Sequence, residues 1–224
     1  IKLKIDHTYR VAALCERMAK GEGRCSSDVE LAWLSGMLHD VGRVEQIKRY
    51  NTLSDADSVD HAKFGADLLF KDGLISTFLK GMVKCTGYKP GALEDRYDSD
   101  GVFLYDRLNK SDMEMLELAI RCHNMYRIPQ GLNSREQAFC NVLRDADKVD
   151  IFKVNIDTPL EEIYNTTTEE LMKSDITDEV LKAFDEEHCI LKAIRRTPAD
   201  TVIGHVSLAY ELVYDESVRI TVEQ

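Results

Sequence analysis

Apolar residues return along this chain every three or four positions and hardly ever alternate, so the text reads as one helix after another. Ile5, Val11, Leu14, Cys15 and Met18 make a stripe on a helix from about Ile1 to Lys20, with Gly21 and Gly23 to stop it. A second helix carries Val29, Leu31, Ala32, Leu34, Met37 and Leu38; it is apolar on most sides and therefore central. Ser27-Asp28-Val29-Glu30 has the form of a capping box that would start it. From Val44 to Ser58 the text turns polar, with Asn51 to Asp57 reading as a loop. Ser58-Val59-Asp60-His61 opens a third helix with Phe64, Leu68 and Leu69 inward, Gly65 and Ala66 for close packing, and an end near Asp72-Gly73; Leu74 to Lys84 reads as a short helix. Residues 85–110 are the least regular stretch, and a loop of that length reads as a partial lid. Ser111-Asp112-Met113-Glu114 predicts a helix running through Leu116 and Ile120 to His123, closed by Pro129 and Gly131. Ser134-Arg135-Glu136-Gln137 begins a long helix through about Lys153 whose inner face is Phe139, Val142, Leu143, Ala146 and Val149. Beyond Asn155 acidic loops mix with short helices that start around Thr166 to Glu170 and Thr177-Asp178. The class is all-α: a helical core over residues 1–155, then a helical C-terminal extension, 156–224, packed on it.

Composition narrows this little. With 224 residues, 44% of them hydrophobic, the chain can fill one generous core, and 4 Pro and 12 Gly leave helices uninterrupted. A formal net charge of -11 argues against a grip on duplex nucleic acid, although a small anionic partner remains compatible with a local positive site. The cysteines, at 15, 25, 85, 122, 140 and 189, show no C-x-x-C pair and read as buried thiols of a reducing cytoplasm. No apolar run approaches the ~18 residues of a membrane span, and no signal-peptide layout is present. The expectation is a cytoplasmic protein with no membrane partner, with association into homo-oligomers left open. The first residue is Ile1, already within helical text, so native residues are expected before it.

Chemistry enters with Ser35-Gly36-Met37-Leu38-His39-Asp40-Val41-Gly42-Arg43. Neighbours in mid-helix point ~100° apart, but His39 and Asp40 stand where a helix ends and can both turn toward one ion. An unpaired carboxylate delivered into the interior there would be costly, and a metal would resolve the cost. Candidate partners occur on other helices: His7 near the start of the first, His61 in the first turn of the third, and His123 at the end of a buried helix, repeating the arrangement of His39. The last lies in Arg144-Asp145-Ala146-Asp147-Lys148-Val149-Asp150, where a helical wheel favours Asp147 over Asp145 only slightly. Six such ligands suffice for two ions, one held by His7, His39, Asp40 and Asp147, the other by His61 and His123 with Asp40 bridging. Imidazole and carboxylate without thiolate suit Fe, Mn, Co, Ni or Zn with positions open to water, a catalytic site able to hydrolyse a phosphate ester.

Asp6-His7-Thr8, Gly36-Met37-Leu38-His39-Asp40-Val41-Gly42 and Arg144-Asp145-Ala146-Asp147-Lys148 together resemble the HD superfamily of metal-dependent phosphohydrolases over residues 1–155. The resemblance implies an all-helical bundle with metal at its centre and selects Asp147 as the last ligand. His61 and His123 are similar in order to the extra histidines of dinuclear members, which implies two metals and a small phosphorylated substrate such as a nucleotide. Members that cleave cyclic di-GMP carry two adjacent histidines and a later G-Y-P element; Cys122-His123 and the earlier Gly87-Tyr88-Lys89-Pro90 do not match. Arg43, where members often have Lys, and Lys148 each stand close to a ligand and are candidates, with Asp40, for the catalytic machinery, either as phosphate contacts or as charge compensation for neighbouring acids. Lys182, Lys192, Arg195 and Arg196 could reach phosphate groups if the C-terminal part folds back over the site but read chiefly as a solvated face, and His188 and His205 lack the context of the other histidines. The reading is a hydrolase of phosphate ester or anhydride bonds. Its rivals are a diiron oxygenase with the same ligand count and a non-catalytic nucleotide-sensing domain.

Overall fold

The computed structural model describes residues 2–84, 108–164 and 166–224, with 80–84 as backbone only. The described residues are helical with no strand: α1 Lys2–Gly21, α2 Ser26–Leu38, α3 Val41–Tyr50, α4 His61–Ala66, α5 Leu74–Lys84, α6 Lys110–Cys122, α7 Ser134–Asp157, α8 Leu160–Tyr164, α9 Thr168–Lys173, α10 Asp178–Asp185, α11 Pro198–Val206 and α12 Asp215–Glu223. The stretch read as a lid falls on 85–110, of which 85–107 lie outside the described residues.

Several helix starts differ from the sequence expectation, each for a local reason. Asparagine, not the following serine, caps α6 and α7: Asn109 with Asp112 and Asn133 with Glu136 close true capping boxes. Cys25 stands at the N-cap of α2 without a side-chain hydrogen bond, so Ser27 does not cap it; the apolar face of the helix holds it against its neighbours instead. Helix α3 was hidden by its polar face, where Glu45 pairs with Arg49 and Lys48, and it ends at Asn51 in the left-handed region. Cys15, Cys122, Cys140 and Cys189 are buried, but Cys25 is exposed and Cys85 lies outside the described residues.

The core is built by α1, α2, α6 and α7, with Val11, Cys15, Leu34, Leu116, Ile120, Leu143 and Val149 fully buried among them. Two glycine contacts bring the helices closer than side chains would allow. A Cβ on Gly36 would lie 2.6 Å from Ala12 Cα, so α1 runs against α2; one on Gly42 would lie 2.1 Å from His61 O and 2.8 Å from Gly65 N, so α3 abuts α4. The C-terminal part divides by packing. Ile220 of α12 joins the main core, with Leu212 and Tyr214 against it, whereas Val180, Ala183 and Ile190 form a separate small cluster with Ile176, Phe184, Ile194 and Ile203. No helix of the described residues is long and apolar enough to cross a membrane.

Candidate metal centre

His39 and Asp40 occupy the junction of two helices. His39 keeps helical angles at the end of α2; Asp40 breaks to φ -100°, ψ 13°, and α3 begins at once. Asp40 therefore stands at an N-cap position yet caps nothing, because its carboxylate turns inward. The two glycine approaches then matter directly: Gly36 lets α1 bring His7 to His39, and Gly42 with Gly65 lets α4 bring His61 to Asp40. His123 ends α6 as His39 ends α2, and each ring bonds back to the carbonyl three residues earlier. His7, His39, Asp40, His61 and His123 are buried, and Asp147 of α7 is partly exposed toward them.

All four imidazoles are oriented from behind. Nδ1 faces the Gly36 carbonyl in His39 at 2.7 Å, the Ile120 carbonyl in His123 at 2.7 Å, Asp55 Oδ2 in His61 at 2.7 Å and Asp150 Oδ2 in His7 at 2.6 Å. Carbonyls and carboxylates only accept, so each Nδ1 carries a proton and, in a neutral ring, Nε2 presents a bare lone pair. Those Nε2 atoms face one another: His7 to His39 at 3.3 Å and His61 to His123 at 3.1 Å. Burial lowers His39, and lowers His61 against the pull of Asp55; burial and the neighbouring His39 take His123 down to about 4. In the His61–His123 pair two neutral rings thus aim lone pairs at each other, an arrangement that repels unless a cation stands between them. Nitrogens about 2.1 Å from one ion stand about 3.0–3.4 Å apart, so both pairs fit a shared metal.

Asp40 joins the pairs. Its Oδ2 lies 3.7 Å from Nε2 of both His7 and His39, and its Oδ1 lies 3.5 Å from His61 Nε2 and 4.0 Å from His123 Nε2. Asp147 Oδ1 adds to the first pair, 3.3 Å from His7 Nε2 and 3.9 Å from His39 Nε2. Burial would raise both carboxyls, but the surrounding imidazoles, with Lys4 in the case of Asp40, hold them well below the ordinary range. At His7 burial is outweighed by hydrogen bonds to Asp147 and Asp150, and the ring rises to about 9. Lys4 Nζ bonds Asp40 Oδ2 at 2.7 Å.

Asp145 goes elsewhere. Its Oδ2 accepts from Val213 N, Tyr214 N and Ser217 Oγ at 2.8, 3.1 and 2.8 Å, tying the start of α12 to α7, and burial raises its pKa. Arg43 donates to Asp55 Oδ1 at 2.6 Å and to the Leu53 carbonyl at 2.5 Å, and its Nε lies 3.7 Å from Asp40 Oδ1. Lys148 lies 3.2 Å from Glu211, which also takes Arg144 at 3.2 Å.

Sequence reasoning missed Asp150 and Asp55, and held the C-terminal wall only as the lesser of two readings. Asp150 sits one helical turn after Asp147, and His7 and Arg10, also one turn apart, both reach it; that matched spacing on α1 and α7 was the available signal. Asp55 lay in text read only as a loop. The cluster opens on a cavity of about 420 Å³ that is also lined by Lys192, Arg195, His205 and Leu208 of the C-terminal extension.

Two groups of these residues, His7 with His39 and Asp147, and His39 with Asp40 and His123, bring ligand atoms close enough for an ion. Comparison with curated proteins and with solved structures gives no match. A profile of the HD domain matches residues 5–153, a span from before His7 to beyond Asp150. That domain defines a superfamily of metal-dependent phosphohydrolases whose members bind divalent metals, and this His and Asp cluster is compatible with such an ion. With most of its length matched, the chain belongs to the HD-domain family.

Proposed function

We propose that the chain is a two-metal phosphohydrolase that cleaves an ester or anhydride bond in a nucleotide or another small phosphorylated metabolite. One observation carries this reading: the two oxygens of Asp40 face two different histidine pairs, Oδ2 toward His7 and His39 and Oδ1 toward His61 and His123. His7, His39, Asp40 and Asp147 would hold one divalent ion, and His61, His123 and Asp40 the other. Fe, Mn, Co, Ni or Zn suit this donor set, and when bound they would polarise a phosphoryl oxygen and acidify a water.

The remaining residues prepare the ground. Asp55 and Asp150, with the Gly36 and Ile120 carbonyls, fix each ring so that Nε2 points inward. Arg43 braces Asp55 and faces Asp40, which supports a positioning role over a phosphate contact. Lys148 lines the cavity with its ammonium on Glu211, and its remaining N–H donors could meet a substrate phosphate. The cavity, about 420 Å³, lies in the lower part of the range for small-molecule sites.

The test is elemental analysis of the purified protein, then a release assay over phosphate esters, nucleotides and dinucleotides with Mn, Co or Ni added. About two metal equivalents with phosphate or nucleotide release support the reading, and Asp40→Ala should lose both metal and turnover. Full metal and rate in Asp40→Ala would overturn it. Two irons with oxygen consumption and no release would replace it with the oxygenase.

A further inference from the structure

The cations lining the cavity differ in what they already hold. Lys4 bonds Asp40, Arg43 bonds Asp55, and Arg144 and Lys148 share Glu211. Arg195 is different. Its Nη2 donates to the carbonyls of Ile190 at 2.6 Å and Gly204 at 3.2 Å, its Nε is buried with no partner, and no carboxylate of the described residues pairs with it or with Lys192. Its guanidinium is half-buried, and burial lowers its pKa, offset only in part by Cys189 and Tyr164 and by no carboxylate of the described residues.

Its seat is built for it. A Cβ on Gly204 would lie 2.2 Å from Arg195 Nε and 2.3 Å from its Cζ, so the guanidinium rests against bare backbone that only glycine provides. Bracing two carbonyls occupies Nη2, and Nε is shut in against Gly204, which leaves Nη1 without a partner among the described residues. Lys192 stands three residues earlier, its carbonyl accepting from Arg195 N across the 3₁₀ turn Lys192–Ile194, and it lines the same cavity. A half-desolvated cation with no carboxylate beside it is costly until an anion meets it, and a guanidinium N–H with an ammonium nearby suits a phosphate or carboxylate oxygen.

We propose that the C-terminal extension recognises a second anionic group on the substrate, through Arg195 with Lys192 beside it, so that the preferred substrate is a small metabolite carrying the scissile phosphate and another phosphate or a carboxylate. The proposal rests on the phosphohydrolase reading of the metal centre.

The experiment uses matched pairs on the metal-loaded full chain: fructose 6-phosphate against fructose 1,6-bisphosphate, adenosine 5′-monophosphate against adenosine 3′,5′-bisphosphate, and glycerol 3-phosphate against 3-phosphoglycerate. The first two pairs test a second phosphate and the third a carboxylate. The expected result is at least tenfold higher kcat/KM for the two-anion member of a pair, mostly through KM. Arg195→Met should collapse that ratio about tenfold or more, Lys192→Met less, and Arg195→Lys should restore part of it. A merely structural defect would lower both members alike and leave the ratio standing. Gly204→Ala, which displaces the guanidinium while keeping its charge, should also lower the ratio. Calorimetric binding of the same pairs without added metal gives a readout independent of turnover. Binding preference that depends on Arg195, with no hydrolysis of any ester, would sustain this inference and sink the hydrolase reading. Hydrolysis with no two-anion preference in any pair, or a preference unchanged in both Arg195→Met and Lys192→Met, would overturn this inference alone.

Discussion

The two walls of the cavity are made differently. On the wall from residues 7–147 every imidazole is held from behind by an acceptor, and charges meet opposite charges at short range. On the wall from the C-terminal extension, Lys192 and Arg195 pair with no carboxylate of the described residues, and the support of Arg195 is a glycine and two carbonyls. The first wall is organised around ligand atoms aimed at one another and bears on which reaction is run. The second has unspent charge and bears on which molecule is accepted.

The largest break in this comparison is Asp40→Ala. It removes the carboxylate that both histidine pairs face, so hydrolysis should fall on the order of 10³-fold or more, with both metal equivalents lost. The binding preference of the other wall should survive. Parallel elemental analysis, kinetics and calorimetry check it; loss of the two-anion preference as well would mean that the walls are not separable.

Next come the residues behind the rings. Asp150→Asn weakens the acceptor for His7, and Asp55→Asn that for His61, each at a cost of about 10–100-fold in metal affinity. The two variants should affect different equivalents in a metal titration. Equal loss of both equivalents in each variant would show that the pairs do not act as two half-sites.

How much of this could be read beforehand follows the same division. His39-Asp40 at a helix end and His123 at another were legible because helical periodicity says where a helix stops, and Asp147 because Asp-Ala-Asp-Lys resembles the family's motif. Asp147 over Asp145 was nearly a tie on the wheel. Asp145 is fully buried and Asp147 partly exposed on the cavity, and only the presence of α12 explains why Asp145 faces the other way. For Arg195 a solvated face outweighed a reach to phosphate, since nothing local says that residues 189–211 return to the cavity or that Gly204 leaves room for a guanidinium. Helix α3 was missed because most of its surface is polar, although Gly42 at its start is what admits α4.

Asp145 offers a control on the first wall. Asp145→Ala leaves the N–H groups of Val213 and Tyr214 and the Ser217 hydroxyl without their acceptor, which should cost about 1–3 kcal/mol of stability. Metal content should stay at the wild-type value, whereas Asp147→Asn should lose metal with little change in unfolding midpoint. Denaturant unfolding with elemental analysis separates them, and metal loss confined to the Asp145 variant would reverse the assignment of the two carboxylates.

The smallest effect concerns acid. Asp200, fully buried at the start of α11, accepts from Thr177 N at 2.8 Å, Arg196 N at 2.8 Å and Thr197 N at 3.2 Å, and so fixes the backbone beside Arg195. Burial would raise its carboxyl, but these backbone donors outweigh burial and hold it below the ordinary value. A carboxyl lowered by folding contributes stability above its unfolded pKa, about 3.9, and that contribution is lost as pH falls toward the folded value. The segment from Thr177 to Gly204 should therefore lose protection in hydrogen exchange as pH drops below about 4. Helix α7 should lose more: Asp147, held further below the ordinary range, goes on losing its contribution after Asp200 has lost all of its own. Exchange read segment by segment between pH 3 and 6 decides it. If residues 177–204 opened first, the wall bearing Arg195 and not that of Asp147 would be the more acid-sensitive part, and the separation of the two walls would fail on stability even where it held on chemistry.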